Sequence, residues 1–188
     1  MGVPENNIMK KNILITGQPG IGKTTLVVRA IRKLEDLGPT GFITEEIREA
    51  GVRKGFSLRS LDGRTGTLAR VGFRSPFSVG RYGVDVGGFE TFLEGMGLFA
   101  SSSRLVIMDE IGKMECCSKV FKEKVPHLFN DRGRVVVSTI ALRGGGILAD
   151  LKERPDVTLF TLSLGDREAL VDTVVAAVRA AVAGLDPA

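Results

Sequence analysis

One histidine and two cysteines are all that this 188-residue chain offers for imidazole or thiolate chemistry. The histidine, His127, stands in an apolar helical pattern with Val125, Leu128 and Phe129, which argues against a histidine metal centre or a catalytic triad. Cys116 and Cys117 are adjacent, so they neither staple distant segments nor have the spacing of a zinc site, and they are expected to be reduced, structural thiols. No apolar stretch approaches the roughly 18 residues that a membrane helix needs. The polar opening Met1-Gly2-Val3-Pro4-Glu5-Asn6-Asn7 lacks the apolar core of a signal peptide. A soluble, cytoplasmic protein with no membrane partner is the expectation. Internal repeats and low-complexity tracts are also missing, and the length suits one domain over residues 1–188, with volume for a sheet covered by helices on both faces.

What the chain does have is glycine, placed with a purpose. Gly17-Gln18-Pro19-Gly20-Ile21-Gly22-Lys23-Thr24 follows the apolar run Asn12-Ile13-Leu14-Ile15-Thr16 and matches the phosphate-binding loop pattern G-x-x-x-x-G-K-[ST]. The glycines let the backbone curl so that successive N–H groups face phosphate oxygens, and a Cβ at Gly17 or Gly22 is expected to obstruct that path. Lys23 supplies positive charge for β- and γ-phosphates. Thr24 offers a hydroxyl to Mg²⁺, and Thr25 continues the N-terminus of a helix whose dipole favours anions. A glycine-rich turn needs no ligand by itself, but here the context fits: a buried-type strand comes before, and Leu26, Val27, Ala30, Ile31, Leu34 and Leu37 recur at helical spacing until Gly38-Pro39. The pattern predicts a nucleoside triphosphate site.

Beyond that helix the strand-like segment 41–48 is followed, without intervening helices, by segments at 53–60 and 65–71 and a short one near Tyr82-Gly83-Val84. Close spacing and the Asp62-Gly63 pair predict an antiparallel insertion, about residues 48–84, in an otherwise alternating chain. Helices are expected at 89–99, 118–129, 147–153 and 164–182, the last capped by Ser163, with buried strands at 104–110, 134–140 and 157–161. The predicted class is therefore α/β, with a mainly parallel central sheet. The net charge is +4, but residues 48–81 hold eight basic residues (Arg48, Arg53, Lys54, Arg59, Arg64, Arg70, Arg74, Arg81) against Glu49 and Asp62, or +6, leaving −2 elsewhere. That excess reads either as protection of a sheet edge or as a field drawing phosphates to the cleft, with Arg48 and Arg64 the foremost candidates for the latter.

The run Arg104-Leu105-Val106-Ile107-Met108 ends in Asp109 and Glu110. At the carboxyl end of a strand beside the first, Asp109 is placed to hold Mg²⁺ through water, and Glu110 to orient or deprotonate an attacking water. Alternation along a regular strand turns the two acids to opposite faces. A phosphate loop with this acidic pair resembles the ATPase branch of the P-loop superfamily. That branch places one strand between the loop strand and the acidic strand and ends it in a residue that senses the γ-phosphate. Here that strand is 134–140, and Ser138 or Thr139, preferably Thr139, takes the role. Lys113 reads either as a phosphate-bridging cation or as a solvated lysine, and Arg154 either as a nucleotide contact or as a surface arginine. Glu45, Glu46 and Arg48 have structural and functional readings alike, and the base is expected near 161–166.

Asp109-Glu110-Ile111-Gly112-Lys113-Met114-Glu115 is the most specific string. With the loop and Thr25, with Gly41-Phe42-Ile43-Thr44-Glu45-Glu46-Ile47-Arg48 and Gly55-Phe56, it resembles the thermostable and cancer-related nucleoside-triphosphatase family over about residues 11–175. The resemblance implies a P-loop NTPase fold. It also implies Mg²⁺-dependent hydrolysis of ATP, GTP and other nucleoside triphosphates to diphosphate and phosphate, slow and broad in base tolerance; a monomer or weak oligomer is the separate expectation for assembly. Two departures stand out: Ala141 where the family commonly has proline, and the flexible Gly144-Gly145-Gly146. A nucleoside or nucleotide kinase and a nucleic-acid-regulated module remain as alternatives.

Overall fold

A computed structural model describes residues 9–185. The polar opening Met1–Asn7 lies outside them. In chain order the elements are β1 (Asn12–Thr16), α1 (Lys23–Lys33), β2 (Thr40–Glu49), β3 (Val52–Ser60), β4 (Thr65–Val71), β5 (Ser78–Val79), β6 (Tyr82–Val84), α2 (Val86–Gly95), β7 (Leu105–Ile111), α3 (Lys119–Asn130), β8 (Val135–Ile140), α4 (Ile147–Lys152), β9 (Val157–Thr161) and α5 (Arg167–Ala183). The strands form one sheet ordered β5-β6-β4-β3-β2-β7-β8-β1-β9. From β2 to β9 neighbouring strands are parallel, while β2 through β6 pair antiparallel. The mainly parallel sheet and its antiparallel insertion are thus present, and β8 stands between the loop strand β1 and the acidic strand β7.

The apolar runs are continuous because both faces of these strands are covered. Leu14, Val106, Met108 and Val136 pack with Phe89, Phe92, Phe121, Val125 and Leu148 beneath α2, α3 and α4. Ile13, Ile15, Ile107 and Val137 pack with Leu26, Val27, Val171 and Val178 beneath α1 and α5. Each such side chain fully removed from water is worth about 1.5–3 kcal/mol, which binds the helices to the sheet more firmly than any surface ion pair. Because α1 and α4 lie on opposite faces, the chain leaves the carboxyl ends of β1 and β8 in opposite directions and opens a crevice there.

The opposite, amino edge is closed by polar contacts. The Asn12 side chain, buried at the start of β1, donates to the Phe129 carbonyl (3.1 Å) and the Asp156 carboxylate (3.0 Å) and accepts the Val136 N–H (3.1 Å). Lys11 donates to the carbonyls of Phe129 (3.0 Å) and Arg134 (2.9 Å). These bonds pin β1 to α3 and β8 without leaving the buried amide or ammonium unpaired.

Several local expectations change. β5 adds a two-residue strand, Ser78–Val79, between the segment at 65–71 and the short one near Tyr82. Helix α2 begins at Val86 rather than Phe89, because Asp85 caps it by accepting the Gly88 N–H (2.9 Å), and it stops at Gly95 rather than Phe99. Helix α1 ends at Lys33, and a 3₁₀ turn, Glu35–Leu37, carries the apolar pattern on to Gly38. Ser163 does not cap α5: its hydroxyl is spent on the Asp166 carboxylate, and Asp166 takes the cap position. The basic insertion is also less bare than its count implied. Glu46 pairs with Arg48 and Arg53, Glu45 with Arg59, Asp62 with Arg64 and Glu49 with Arg70, all at 2.6–3.0 Å. Two of the acids involved, Glu45 and Glu46, lie just before the segment over which the charge was summed. Arg48 also donates to the Gly51 carbonyl (2.9 Å), which commits it to the hairpin turn rather than to the cleft.

Gly41 shows where the sheet tolerates no side chain. It sits opposite Ile107 with a φ of 140°, and a Cβ built there would lie 1.8 Å from the Ile107 carbonyl oxygen. Gly41→Ala is expected to destabilise the fold by about 3 kcal/mol or more, among the larger single-site effects. Gly87→Ala is expected to be neutral or mildly stabilising, since that helical position has nothing within 4 Å. Urea unfolding of the two variants checks the contrast.

Candidate active site

The phosphate loop leaves β1 at the crevice and enters α1 through Gly22, whose φ of 106° places it in a region that side-chain-bearing residues rarely adopt. A Cβ at Gly22 would meet only the Arg167 Nε, at 3.9 Å, so backbone conformation, not crowding, requires glycine here. Gly17 is the crowded position, with a Cβ site 2.9 Å from the Leu162 carbonyl oxygen. Gln18, Pro19 and Gly20 are exposed, as are the side chain of Thr25 and, in part, those of Ile21 and Thr24. Lys23 is 9% exposed; its Nζ donates to the Gly17 carbonyl (3.4 Å) and lies 4.0 Å from Glu110 Oε2.

Asp109 and Glu110 fall inside β7 rather than at its end, since that strand runs on to Ile111. Between Met108 and Ile111 the register with β8 shifts, so the regular alternation expected of the two acids does not hold there. Asp109 is 1% exposed. Its Oδ1 accepts the Thr139 hydroxyl (2.5 Å), and the Thr24 side chain, the Lys23 charge and the Thr44 N–H also bear on it. Burial pushes its carboxyl above the ordinary value, against the pull of those groups. Its Oδ2 is buried with no partner, as is the Thr44 hydroxyl on neighbouring β2. An orphaned carboxylate oxygen beside a threonine hydroxyl and a phosphate loop is the donor set expected of an oxygen-loving cation, so Thr24 and Asp109 fit Mg²⁺.

Glu110 is turned toward Lys23 with about a third of its side chain exposed (34%). Burial raises its carboxyl, Lys23 restrains the rise and Asp109 adds to it. This moves a carboxylate toward the range useful for a base near neutrality. Thr139 is fully buried, and its immediate partner is Asp109, not open space over the loop. Ser138 donates to the carbonyls of Met108 (2.7 Å) and Thr139 (2.8 Å) and is thereby spent on the sheet. Residues 162–166 follow β9 beside the loop, where the Leu162 N–H donates to the Thr16 carbonyl (2.8 Å). Lys113 is exposed.

Arg154 is not brought to this site. It lies at the amino edge of the sheet, a full strand from the loop, bound to Asp156 by Nε (2.8 Å) and Nη2 (2.9 Å), to the Asn130 side chain (2.9 Å), and set over the Phe129 ring. The Arg-Pro-Asp sequence before β9 builds a structural clamp. Conversely, Glu115 was part of the specific string but received no role. It is 3% exposed, and its Oε2 accepts the Gly112 N–H (3.1 Å). A Cβ on Gly112 would lie 2.9 Å from Glu115 Oε2 and 3.3 Å from Glu110 Oε1, so the missing side chain lets the two carboxyls share one turn. An acid six residues past Asp109, directly after the apolar Met114, was the available signal.

Burial, with Glu110 and Asp109 nearby, raises the Glu115 carboxyl to about 8 from 4.5. The folded chain then holds a proton that the unfolded chain releases near 4.5, so this stabilising contribution is complete below that value and is lost as pH rises to about 8. Glu115→Gln, which keeps a neutral acceptor for Gly112, is expected to gain melting temperature relative to the parent across that window and no further above it. Melting curves at successive pH values check this; a constant difference at every pH would rule the account out.

Comparison with known proteins agrees with this geometry. A family model described as NTPase matches residues 12–175. Nucleoside-triphosphatase THEP1 of Thermotoga sp. (strain RQ2) is 40% identical over 168 residues, covering 89% of this chain and 95% of that one. The human cancer-related nucleoside-triphosphatase is 35% identical over 186 residues, covering 91% and 98%. The crystal structure of THEP1 from Aquifex aeolicus superposes with a TM-score of 0.74 at 33% identity, covering 87% of this chain and 96% of that one. With the phosphate loop, the acidic strand and the intervening β8 all in place, the chain belongs to this nucleoside-triphosphatase family and is a hydrolase acting on nucleoside triphosphates.

Proposed function

We propose that the reaction is Mg²⁺-dependent hydrolysis of the terminal phosphoanhydride, giving nucleoside diphosphate and phosphate with broad base tolerance. The observation that carries this reading is the convergence of the Lys23 ammonium, the Glu110 carboxylate 4.0 Å away and the unpartnered Asp109 oxygen at the mouth of the phosphate loop. The loop N–H groups and the N-terminus of α1 hold the phosphates, and Lys23 leaves the Gly17 carbonyl to offset β- and γ-phosphate charge. Thr24 and Asp109 hold the cation, and Thr139 fixes the rotation of Asp109. When bound, that cation would supply neutralisation of phosphate charge. Water attacks the γ-phosphorus, Glu110 accepts its proton, the bond to the β,γ-bridging oxygen breaks, and the diphosphate leaves with that oxygen.

Residues 162–166 offer the base a short loop beside β1. Backbone recognition there underlies the weak base discrimination, since it reads edges common to several bases. ATP, GTP, CTP and UTP are expected to differ by no more than about tenfold in kcat/KM, the scale of a single modest contact. Steady-state phosphate release with the four substrates checks this.

Lys23→Ala is expected to abolish turnover. Glu110→Gln should lower kcat by about 10²–10⁴, the usual worth of a general base, while nucleotide affinity stays near that of the parent. Chelation of divalent cations should stop phosphate release, and Mg²⁺ should restore it. Glu110→Gln turning over at the parental rate under saturating nucleotide and Mg²⁺ would sink the base assignment.

A further inference from the structure

The last helix begins where the first one does. Three ion pairs join α5 to α1 and to the 3₁₀ turn that follows it: Arg29 with Glu168 (2.5 Å), Lys33 with Asp172 (2.5 Å) and Asp36 with Arg179 (2.7 Å). They set the axial register of α5 against α1. Arg167, the first residue of α5 and the one preceding Glu168, is thereby stationed at the entrance to α1, its Nε 3.9 Å from where a Gly22 Cβ would be. The loop leading to it is tied to the same place by the Leu162 N–H bond to the Thr16 carbonyl (2.8 Å).

Arg167 differs from the other cations of this strip. Arg29, Lys33 and Arg179 each face a carboxylate, whereas Arg167 has no ion pair or hydrogen bond among the described residues. It is also a cation in the first turn of a 17-residue helix, where the helix dipole repels positive charge. An unpaired guanidinium, held against the dipole and beside the phosphate-loop amides, would have its electrostatics balanced by an anion in the loop.

We propose that Arg167 is a phosphate ligand of the bound nucleotide, serving the part common to di- and triphosphates rather than the group transferred. The strand order supplies the side. Asp109 and Glu110 lie on β7, two places from β1 in one direction, while β9 and the start of α5 lie on the other. Arg167 therefore approaches the loop from the flank away from the reacting phosphorus. It contributes affinity to ground state and transition state alike, which changes KM and leaves kcat alone.

This inference rests on the loop being a nucleotide site, and the test separates the two. Fluorescent ADP and a non-hydrolysable triphosphate with Mg²⁺ are titrated into the parent protein, Arg167→Ala, Arg167→Lys and Lys23→Ala. The expected result is that Arg167→Ala weakens both ligands by the same factor, about tenfold, as for one charge-assisted phosphate contact. The loss should shrink as salt is raised, because the side chain is exposed. Arg167→Lys should recover part of the affinity, and kcat at saturation should match the parent. Unchanged affinity in Arg167→Ala, with Lys23→Ala impaired, would overturn the inference and leave the site reading standing. A loss confined to the triphosphate with a fall in kcat would equally overturn it, placing Arg167 on the transferred group. Failure of the parent to bind either ligand would overturn both.

Discussion

Asp109 keeps 1% of its surface exposed within a sheet covered on both sides, and an ionised carboxyl in such a place is costly unless other charges or donors attend it. The arrangement around it answers that cost. Thr139 from β8, Thr24 and Lys23 from α1 and the Thr44 N–H from β2 all bear on one side chain. Those elements occupy their positions only because β8 is inserted between β1 and β7 and because α1 returns across one face. One oxygen still lacks a partner. The fold thus leaves a buried carboxylate oxygen unsatisfied beside the phosphate loop, with the unpartnered Thr44 hydroxyl on neighbouring β2, and the proposed divalent cation would satisfy that oxygen.

The antiparallel insertion has a different economy. From Thr44 onward β2 continues past its pairing with β7, which ends at Ile43 opposite Asp109, and its hairpin with β3 rises about 20 Å beyond the parallel sheet at the usual rise per residue. Arginines of the insertion are met by carboxylates of β2, from neighbouring β3 for Arg53 and Arg59 and from β4, one strand further, for Arg70, each exposed pair worth about 0–1 kcal/mol. Those pairs organise the hairpin more than they stabilise it. Lys54 and Arg74 alone among its eight basic residues have neither a side-chain ion pair nor a side-chain hydrogen bond among the described residues, and counting Glu45 and Glu46 with Glu49 and Asp62 lowers the excess from +6 to +4.

Strand runs and the phosphate loop were legible because they are local: Ile13 to Ile15 and Val135 to Val137 read as buried strands from composition alone, and the glycines of the loop are fixed by spacing. Position across the sheet was harder. Arg154 and Arg167 are both arginines near β9, thirteen positions apart and separated by that strand and a loop, and only the direction of β9 places one at the amino edge and the other against Gly22. The intervening strand was identified through family resemblance, not through periodicity, which carries no strand order. Ser163 was read as a helix cap because the motif counts residues; the Asp166 carboxylate competed for its hydroxyl, a choice made by side-chain rotamers. Glu115 escaped notice because charged residues are seldom buried, so an acid in a short loop reads as solvated. The charge of the insertion was misjudged for a simpler reason: antiparallel pairing brings Glu45 and Glu46 opposite residues more than five positions away.

The polar fastening at the amino edge gives the sheet two ends of unequal permanence. The Val136 amide, held by the Asn12 side chain among fully buried neighbours, is reached by solvent deuterons only when the whole sheet opens. Amides of Gln18 and Gly20, on an exposed loop, meet solvent in the native ensemble. A molecule arriving in the crevice thus finds its own recognition groups free to settle around it while the strands that aim them stay fixed. Fluctuation and rigidity are separated by the length of five residues of β1.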